Sequence, residues 1–93
     1  MNTLTLPLGP ELTIPFAAQT QASLAQALQQ AEGPVVLALG GVTEIDSAGI
    51  QLLLATRRSQ DERRQPLQLQ APSDVVLDAL RVFGLQAHFE TAA

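Results

Sequence analysis

Lysine and cysteine are both absent from this 93-residue chain, and its only aromatic residues are three phenylalanines. With no lysine and a net charge of −4, the chain lacks the basic field that binds nucleic acids and anionic membranes. Three phenylalanines provide no stacking platform for single strands. Without cysteine there is no disulfide, thiol nucleophile or thiolate metal site. We therefore expect no nucleic-acid partner.

Long apolar runs and targeting signals are also missing. No stretch approaches the roughly 20 apolar residues that cross a bilayer. The first residues have neither the positive charge nor the apolar core of a secretory signal. One histidine and scattered carboxylates predict no metal site and no cofactor. We expect a cytoplasmic protein with no direct membrane insertion.

The N-terminal part of the chain has the alternation of β-strands. Leu4 and Leu6 alternate with threonines, and Leu12, Ile14 and Phe16 alternate again after a turn that contains Gly9-Pro10. This pattern predicts two short strands joined as an antiparallel hairpin.

The rest of the chain alternates between helical spacing and apolar runs. The predicted elements are a helix over 19–31, a buried central strand over 35–39, a helix from 46–47 to about 64, a strand over 67–71, a helix from 73–74 to 83, and a closing element over 85–89. Crossover helices imply parallel strand pairs beside the hairpin. The whole chain, residues 1–93, is therefore expected to form one α/β domain, with a mixed β-sheet of about four to five strands and helices packed mainly on one face.

The segment Asp46-Ser47-Ala48-Gly49 opens the second predicted helix. A side-chain oxygen of Asp46 or Ser47 can accept a hydrogen bond from a free backbone N–H there. Gly49 in the first turn costs roughly 1 kcal/mol relative to alanine, so another backbone or a partner is expected to approach it closely. Taken alone, such a segment usually means helix capping only.

Its context gives the segment more meaning. The Asp-Ser-x-Gly element after a buried strand, together with the order of elements and the late segment Leu80–Leu85, resembles the STAS domains of bacterial anti-sigma-factor antagonists. The resemblance implies that Ser47 is the serine phosphorylated by a partner kinase, preceded by the acidic Asp46. It also implies a protein partner. The expected partner-binding residues are Asp46, Ser47, Ala48, Gly49, Gln51, Arg57 and Arg58.

Two functions follow from this resemblance. The first is a regulator of the anti-sigma-factor-antagonist type, which binds a serine kinase, an anti-sigma factor or a signalling scaffold while Ser47 is unmodified. The alternative is the STAS subunit of a phospholipid-transport ABC complex, which docks on the ATPase and supports its assembly. In that group the serine need not be phosphorylated, and the sequence leaves both functions open.

Catalysis is the weaker interpretation. A nucleophilic Ser47 would need a base, but the only histidine is His88, and no Gly-x-Ser-x-Gly elbow is present. Gly40-Gly41 follows a buried strand, yet no Gly-Lys-Ser/Thr completes a phosphate loop. We expect no catalytic residue.

The five arginines of the chain include two pairs, Arg57-Arg58 and Arg63-Arg64, on either side of Asp61-Glu62. Such a run usually forms a solvated helix face with pairs such as Arg58 with Glu62. Alternatively, arginines on the helix that carries Ser47 help to select the partner.

Overall fold

The computed structural model describes residues 2–92. Its strands are β1 Leu4–Pro7, β2 Glu11–Leu12, β3 Val35–Ala38, β4 Glu44–Ile45, β5 Leu67–Gln70 and β6 Glu90–Ala92. The helices are α1 Ile14–Gln30, α2 Ser47–Glu62 and α3 Asp74–Val82, followed by a 3₁₀ turn at Gln86–His88.

The main sheet has the strand order β1-β3-β5-β6, and every neighbouring pair in it is parallel. A separate two-stranded ladder, β2-β4, is parallel as well. The expected antiparallel hairpin was wrong, because the chain leaves β1 for this second ladder instead of folding back. Each crossover within the main sheet contains a helix, as parallel neighbours require. The expected mixed sheet is thus corrected to a parallel one, with β3 inside it as predicted.

Helix α1 begins five residues earlier than predicted, at Ile14, and replaces the strand expected through Phe16. Pro15 lies in the first turn, where a missing N–H and a fixed φ are compatible with a helix. The alternation of Ile14 and Phe16 therefore reflects two exposed positions of a helix and not a strand.

The two faces of the main sheet differ sharply. Leu6, Leu37 and Leu69 lie in register on the inner face, and Leu37 and Leu69 are fully buried. One position along, the outer face carries a row of mostly polar or partly exposed side chains. These are Thr5, Val36, Gln68 and Glu90. The helices therefore cover one face, as predicted, and the other face is largely open.

Two side chains at the end of α2 connect the elements at the amino edge of the sheet. Gln60 is fully buried, and its Nε2 donates to the carbonyl oxygens of Gly33 (3.1 Å) and Pro66 (3.2 Å), just before β3 and β5. The Arg63 guanidinium donates to carbonyl oxygens at the end of α1, including that of Leu28. Part of the arginine run is therefore structural and not only a solvated face.

The opposite, carboxyl edge of the sheet positions the candidate site. The N-termini of α1 and α2 lie side by side there, because β2 and β4, which lead into them, pair with each other. Helix α3 starts at the same edge, where Ser73 N–H donates to the Leu39 carbonyl oxygen just after β3. In parallel α/β sheets this edge is where ligands and partners usually bind.

Candidate functional site

Asp46 caps two helices with one carboxylate. Its Oδ1 accepts from the backbone N–H groups of Ala48 (2.9 Å) and Gly49 (3.3 Å) at the start of α2. Its Oδ2 accepts from the N–H of Ile14, the first residue of α1, at 2.9 Å. The predicted N-cap of α2 is confirmed, and the same side chain also joins α2 to α1.

These hydrogen bonds change the acidity of Asp46. The N–H of Ile14 is the largest influence that lowers the pKa of the carboxyl group below its ordinary value of 3.8, and the N–H groups of Gly49 and Ala48 add to it. Partial desolvation acts in the opposite direction without reversing the shift. Asp46 is therefore an ionised structural acceptor at neutral pH.

Gly49 is buried where α2 crosses the β2 segment. A Cβ at this position would overlap the Leu12 carbonyl oxygen, and it would lie 2.7 Å from Ile45 Cγ1 and 2.8 Å from Leu12 Cβ. The close approach expected at Gly49 therefore comes from a backbone within the same chain. The motif glycine allows α2 to pack against β2.

Ser47 differs from its neighbours in the motif. It is the first residue of α2 and is exposed to solvent. Within residues 2–92, no hydrogen bond involves its hydroxyl group. The side chain therefore lies free at a helix N-terminus, where backbone N–H groups and the helix dipole favour negative charge.

The other expected partner-binding residues divide between two directions. Gln51 and Arg58 follow Ser47 at spacings of four and eleven residues and are exposed, so the three share one solvent face of α2. Ala48 is half-buried beside them. Arg57 points instead toward Phe89, with its guanidinium carbon 6.0 Å from the ring centroid.

Arg57 also forms the ion pair of this helix. Its Nε lies 3.6 Å from Asp61 Oδ2, whereas no ion pair joins Arg58 to Glu62, both of which the structure describes. An ion pair at i, i+4 spacing was predicted correctly, but it joins Arg57 to Asp61 and not Arg58 to Glu62. A role for Arg57 or Arg58 in partner binding stays a prediction.

Two exposed apolar side chains near this site were missed by sequence reasoning. Ile14 is 70% exposed and Phe16 42% exposed at the start of α1, close to Asp46 through the Ile14 hydrogen bond. Pro15 between them was the signal that could have revealed an early helix start, since proline is favoured in a first helical turn.

The structure separates His88 from Ser47. His88 lines a cavity with Pro66 and Leu67, at the start of β5 and thus at the amino edge of the sheet, whereas Ser47 lies at the carboxyl edge. Within residues 2–92 no cluster of three or more histidine or acidic side chains could hold a metal ion. In the same range, no helix has the length and apolarity needed to cross a membrane.

The structure is a small α/β domain with a parallel sheet covered on one face and an exposed serine at a helix N-terminus. A family model described as "Mlab, STAS domain" matches residues 1–90. The chain therefore belongs to the STAS domain family, and the predicted resemblance is confirmed.

Solved structures of anti-sigma factor antagonists have the same fold. A candidate anti-sigma factor antagonist from Thermotoga maritima has a TM-score of 0.86 at 18% identity, over 98% of this chain and 79% of that chain. Unphosphorylated SpoIIAA has a TM-score of 0.79 at 24% identity, over 99% and 81%. Phosphorylated SpoIIAA, the Bacillus cell fate determinant, has a TM-score of 0.72 at 23% identity, over 98% and 83%. The search of curated proteins found no match.

Proposed function

We propose that this protein is a phosphorylation-switched regulator of the anti-sigma-factor-antagonist type. In this proposal it binds a cognate serine kinase, anti-sigma factor or signalling scaffold in the cytoplasm while Ser47 is unmodified, and it catalyses no reaction itself. The observation that carries the proposal is that the residues of the motif have different roles. Asp46 and Gly49 are both engaged in the fold, whereas Ser47 presents an exposed hydroxyl group.

The surroundings of Ser47 suit such a switch. A phosphate adds a charge of about −2 and three acceptor oxygens, and the N-terminus of α2 tolerates that charge. Asp46 and the exposed Glu44 are already close in the chain, so the modified surface becomes strongly acidic. A partner fitted to a neutral hydroxyl would lose its contact or be repelled. That both forms of SpoIIAA match this fold supports a change of surface and not of fold.

Ser47→Asp tests this proposal in a pull-down from the native host, with bound proteins identified by mass spectrometry. Wild type is expected to retain a kinase-like ATPase, and Ser47→Asp is expected to lose it. Gln26→Glu, at an exposed position of α1, adds the same charge elsewhere and is the matched control. Because surface substitutions usually change stability by less than about 0.5 kcal/mol, the Tm of Ser47→Asp should shift by only a few degrees.

Covalent modification is tested separately with the purified retained kinase and ATP. Intact mass should rise by one phosphate in wild type and stay unchanged in Ser47→Ala. A kinase that modifies Ser47→Ala equally well, or a Ser47→Asp protein that retains the same partner as wild type, would contradict the switch.

A second candidate is the STAS subunit of a phospholipid-transport ABC complex. The same contacts are compatible with this candidate, because Asp46 and Gly49 have roles in folding that need no phosphorylation. The matching family model also carries the description Mlab and not that of an anti-sigma factor antagonist. Equal retention of an ABC ATPase by wild type and Ser47→Asp would favour this candidate.

A further inference from the structure

The first turn of α1 exposes two large apolar side chains that the core does not use. Ile14 is 70% exposed and Phe16 is 42% exposed, whereas Leu24 and Leu28 of the same helix belong to the buried core. Single exposed apolar residues are common on protein surfaces. We call this pair the α1 shelf and consider what lies next to it.

The α1 shelf is connected to Ser47 through Asp46. The Ile14 N–H donates to Asp46 Oδ2 at 2.9 Å, and Asp46 immediately precedes Ser47. On its other side, Phe16 lines a groove of about 390 Å³ together with Pro10 and Glu11. The shelf, the groove and Ser47 therefore form one continuous edge of the molecule.

Two acidic residues lie along this edge without compensation. Glu11 and Glu44 are direct partners in the β2-β4 ladder, so their side chains lie on the same face of adjacent strands, an arrangement that destabilises a sheet. Neither forms an ion pair within the described residues. The arginines that form ion pairs within the described residues, Arg57 and Arg81, pair with Asp61 and Asp78 instead, so both glutamates are available to a cationic partner.

Another apolar surface lies on α3, but its charges give no such indication. Val82 is 78% exposed and Phe83 is 50% exposed, while nearby Asp78 and Arg81 pair with each other at 2.7 Å. This end of α3 packs near the 3₁₀ turn, which borders the amino edge of the sheet. Val82 is therefore a matched control, exposed and apolar but far from Ser47.

We propose that the α1 shelf, with Glu11 and Glu44, is the surface on which the protein partner docks, and that this partner presents an apolar side chain flanked by arginine or lysine. The inference rests on the proposed function and specifies its partner. The apolar contact supplies affinity, and the two glutamates select a cationic rim. Ser47 directly follows Asp46, which accepts a hydrogen bond from the first residue of the shelf.

This placement explains how phosphate would release a cationic partner. An apolar contact beside Ser47 excludes water, so a phosphate there must lose hydration when the partner docks, which is costly for a dianion. The partner's cations are engaged at Glu11 and Glu44 and do not compensate that loss. The effect of Ser47→Asp should therefore persist at high salt, whereas the contribution of the glutamates should be screened.

The test uses the partner retained by wild type, purified and titrated by calorimetry at 50 mM and 500 mM NaCl. Ile14→Ser and Phe16→Ser should each raise Kd at least about tenfold, as truncation of a central apolar contact does. Val82→Ser should change Kd less than about twofold. The double variant Glu11→Gln/Glu44→Gln should reduce the dependence of Kd on salt. Circular dichroism and Tm establish that each variant is folded.

Several results would overturn the docking surface. The proposal would be wrong if Ile14→Ser and Phe16→Ser bound the partner with the Kd of wild type. A loss of binding in Val82→Ser alone would place the interface on α3 instead. If Kd of the double glutamate variant depended on salt as strongly as that of wild type, the proposal of a cationic partner would be wrong. It would also be wrong if wild type retained no partner in the pull-down. Self-association that Ile14→Ser abolishes would identify a second copy of this chain as the occupant.

The outcomes also separate this inference from the proposed function. If Ile14→Ser loses the partner while Ser47→Asp binds like wild type, the docking surface stands and the phosphorylation switch fails. If Ser47→Asp loses the partner while both shelf variants bind normally, the switch stands and the docking surface is wrong.

Discussion

Gly49→Ala should destabilise the protein although it replaces glycine within a helix. At an unobstructed helical position, alanine is favoured by about 1 kcal/mol. At Gly49 the added Cβ would overlap the Leu12 carbonyl oxygen and lie 2.7 Å from Ile45 Cγ1. Contacts below 3.0 Å require the structure to shift, and a backbone carbonyl cannot move away by changing rotamer.

The magnitude follows from these two opposing terms. Overpacking a tight site costs typically about 1–3 kcal/mol, and here the backbone clash lies at the upper end or beyond, so we expect a net loss of about 2 kcal/mol after the gain in helix propensity. For a chain of this length, that loss lowers Tm by roughly 8–16 °C. Urea denaturation and thermal unfolding of wild type and Gly49→Ala measure both quantities.

Gly41→Ala is the matched control, because a Cβ at Gly41 meets nothing within 4 Å. Its stability should stay within about 0.5 kcal/mol of wild type. A Gly49→Ala protein at least as stable as wild type would refute the reasoning, since it would mean that α2 does not approach Leu12 as closely as the structure has it. If Gly49→Ala kept the stability of wild type but no longer bound the partner, Gly49 would be a partner-binding residue instead.

Two further substitutions test the connections between helices. Asp46→Asn should lower the free energy of unfolding at pH 7, and the difference from wild type should shrink as pH falls well below 3.8. The pKa of Asp46 is lowered in the folded state, so the carboxylate stabilises the fold at pH values above 3.8. This stabilisation disappears as the carboxylate is protonated in the folded protein. Urea denaturation at both pH values checks this, and a constant difference would contradict it. Arg63→Ala should lower the free energy of unfolding by about 1.5 kcal/mol, the lower end of the range for charged hydrogen bonds, because its exposed guanidinium donates to carbonyl oxygens at the end of α1. Arg58→Ala, which is exposed and has no such bonds, should leave the stability unchanged. Equal effects of the two substitutions would contradict a capping role for Arg63.

Much of the fold could be predicted because its signals are local. The run Val35–Leu39 and the helical spacing after Asp46 each lie within a few residues, and both elements occur where expected. The β2-β4 ladder could not be predicted in this way. Each strand has two residues, and Glu11 pairs with Glu44, which is 33 positions away, so no periodicity marks either strand.

The candidate site shows the same division between local and distant information. Capping of α2 by Asp46 depends on residues two and three positions away and was predicted. Its bond to Ile14, 32 positions earlier, requires the tertiary fold. The role of Arg63 at the end of α1 was missed for the same reason, because a run of arginines and acids on a helix reads as a solvated face when the neighbouring helix is unknown.

The arrangement around Ser47 constrains how any switch at this position can work. The N-terminus of α2 is held by the Asp46 carboxylate and by the packing of Gly49 against Leu12, and neither contact uses the serine side chain. Phosphorylation of Ser47 would therefore change the charge of the surface without removing a contact that holds α2 in place. A conformational relay would have to break the Asp46 bond to Ile14, and the cost of doing so would appear as lower stability of Ser47→Asp. In the proposed switch, discrimination between unmodified and phosphorylated protein would then arise at the interface, where the partner either fits the hydroxyl group or has to desolvate a phosphate.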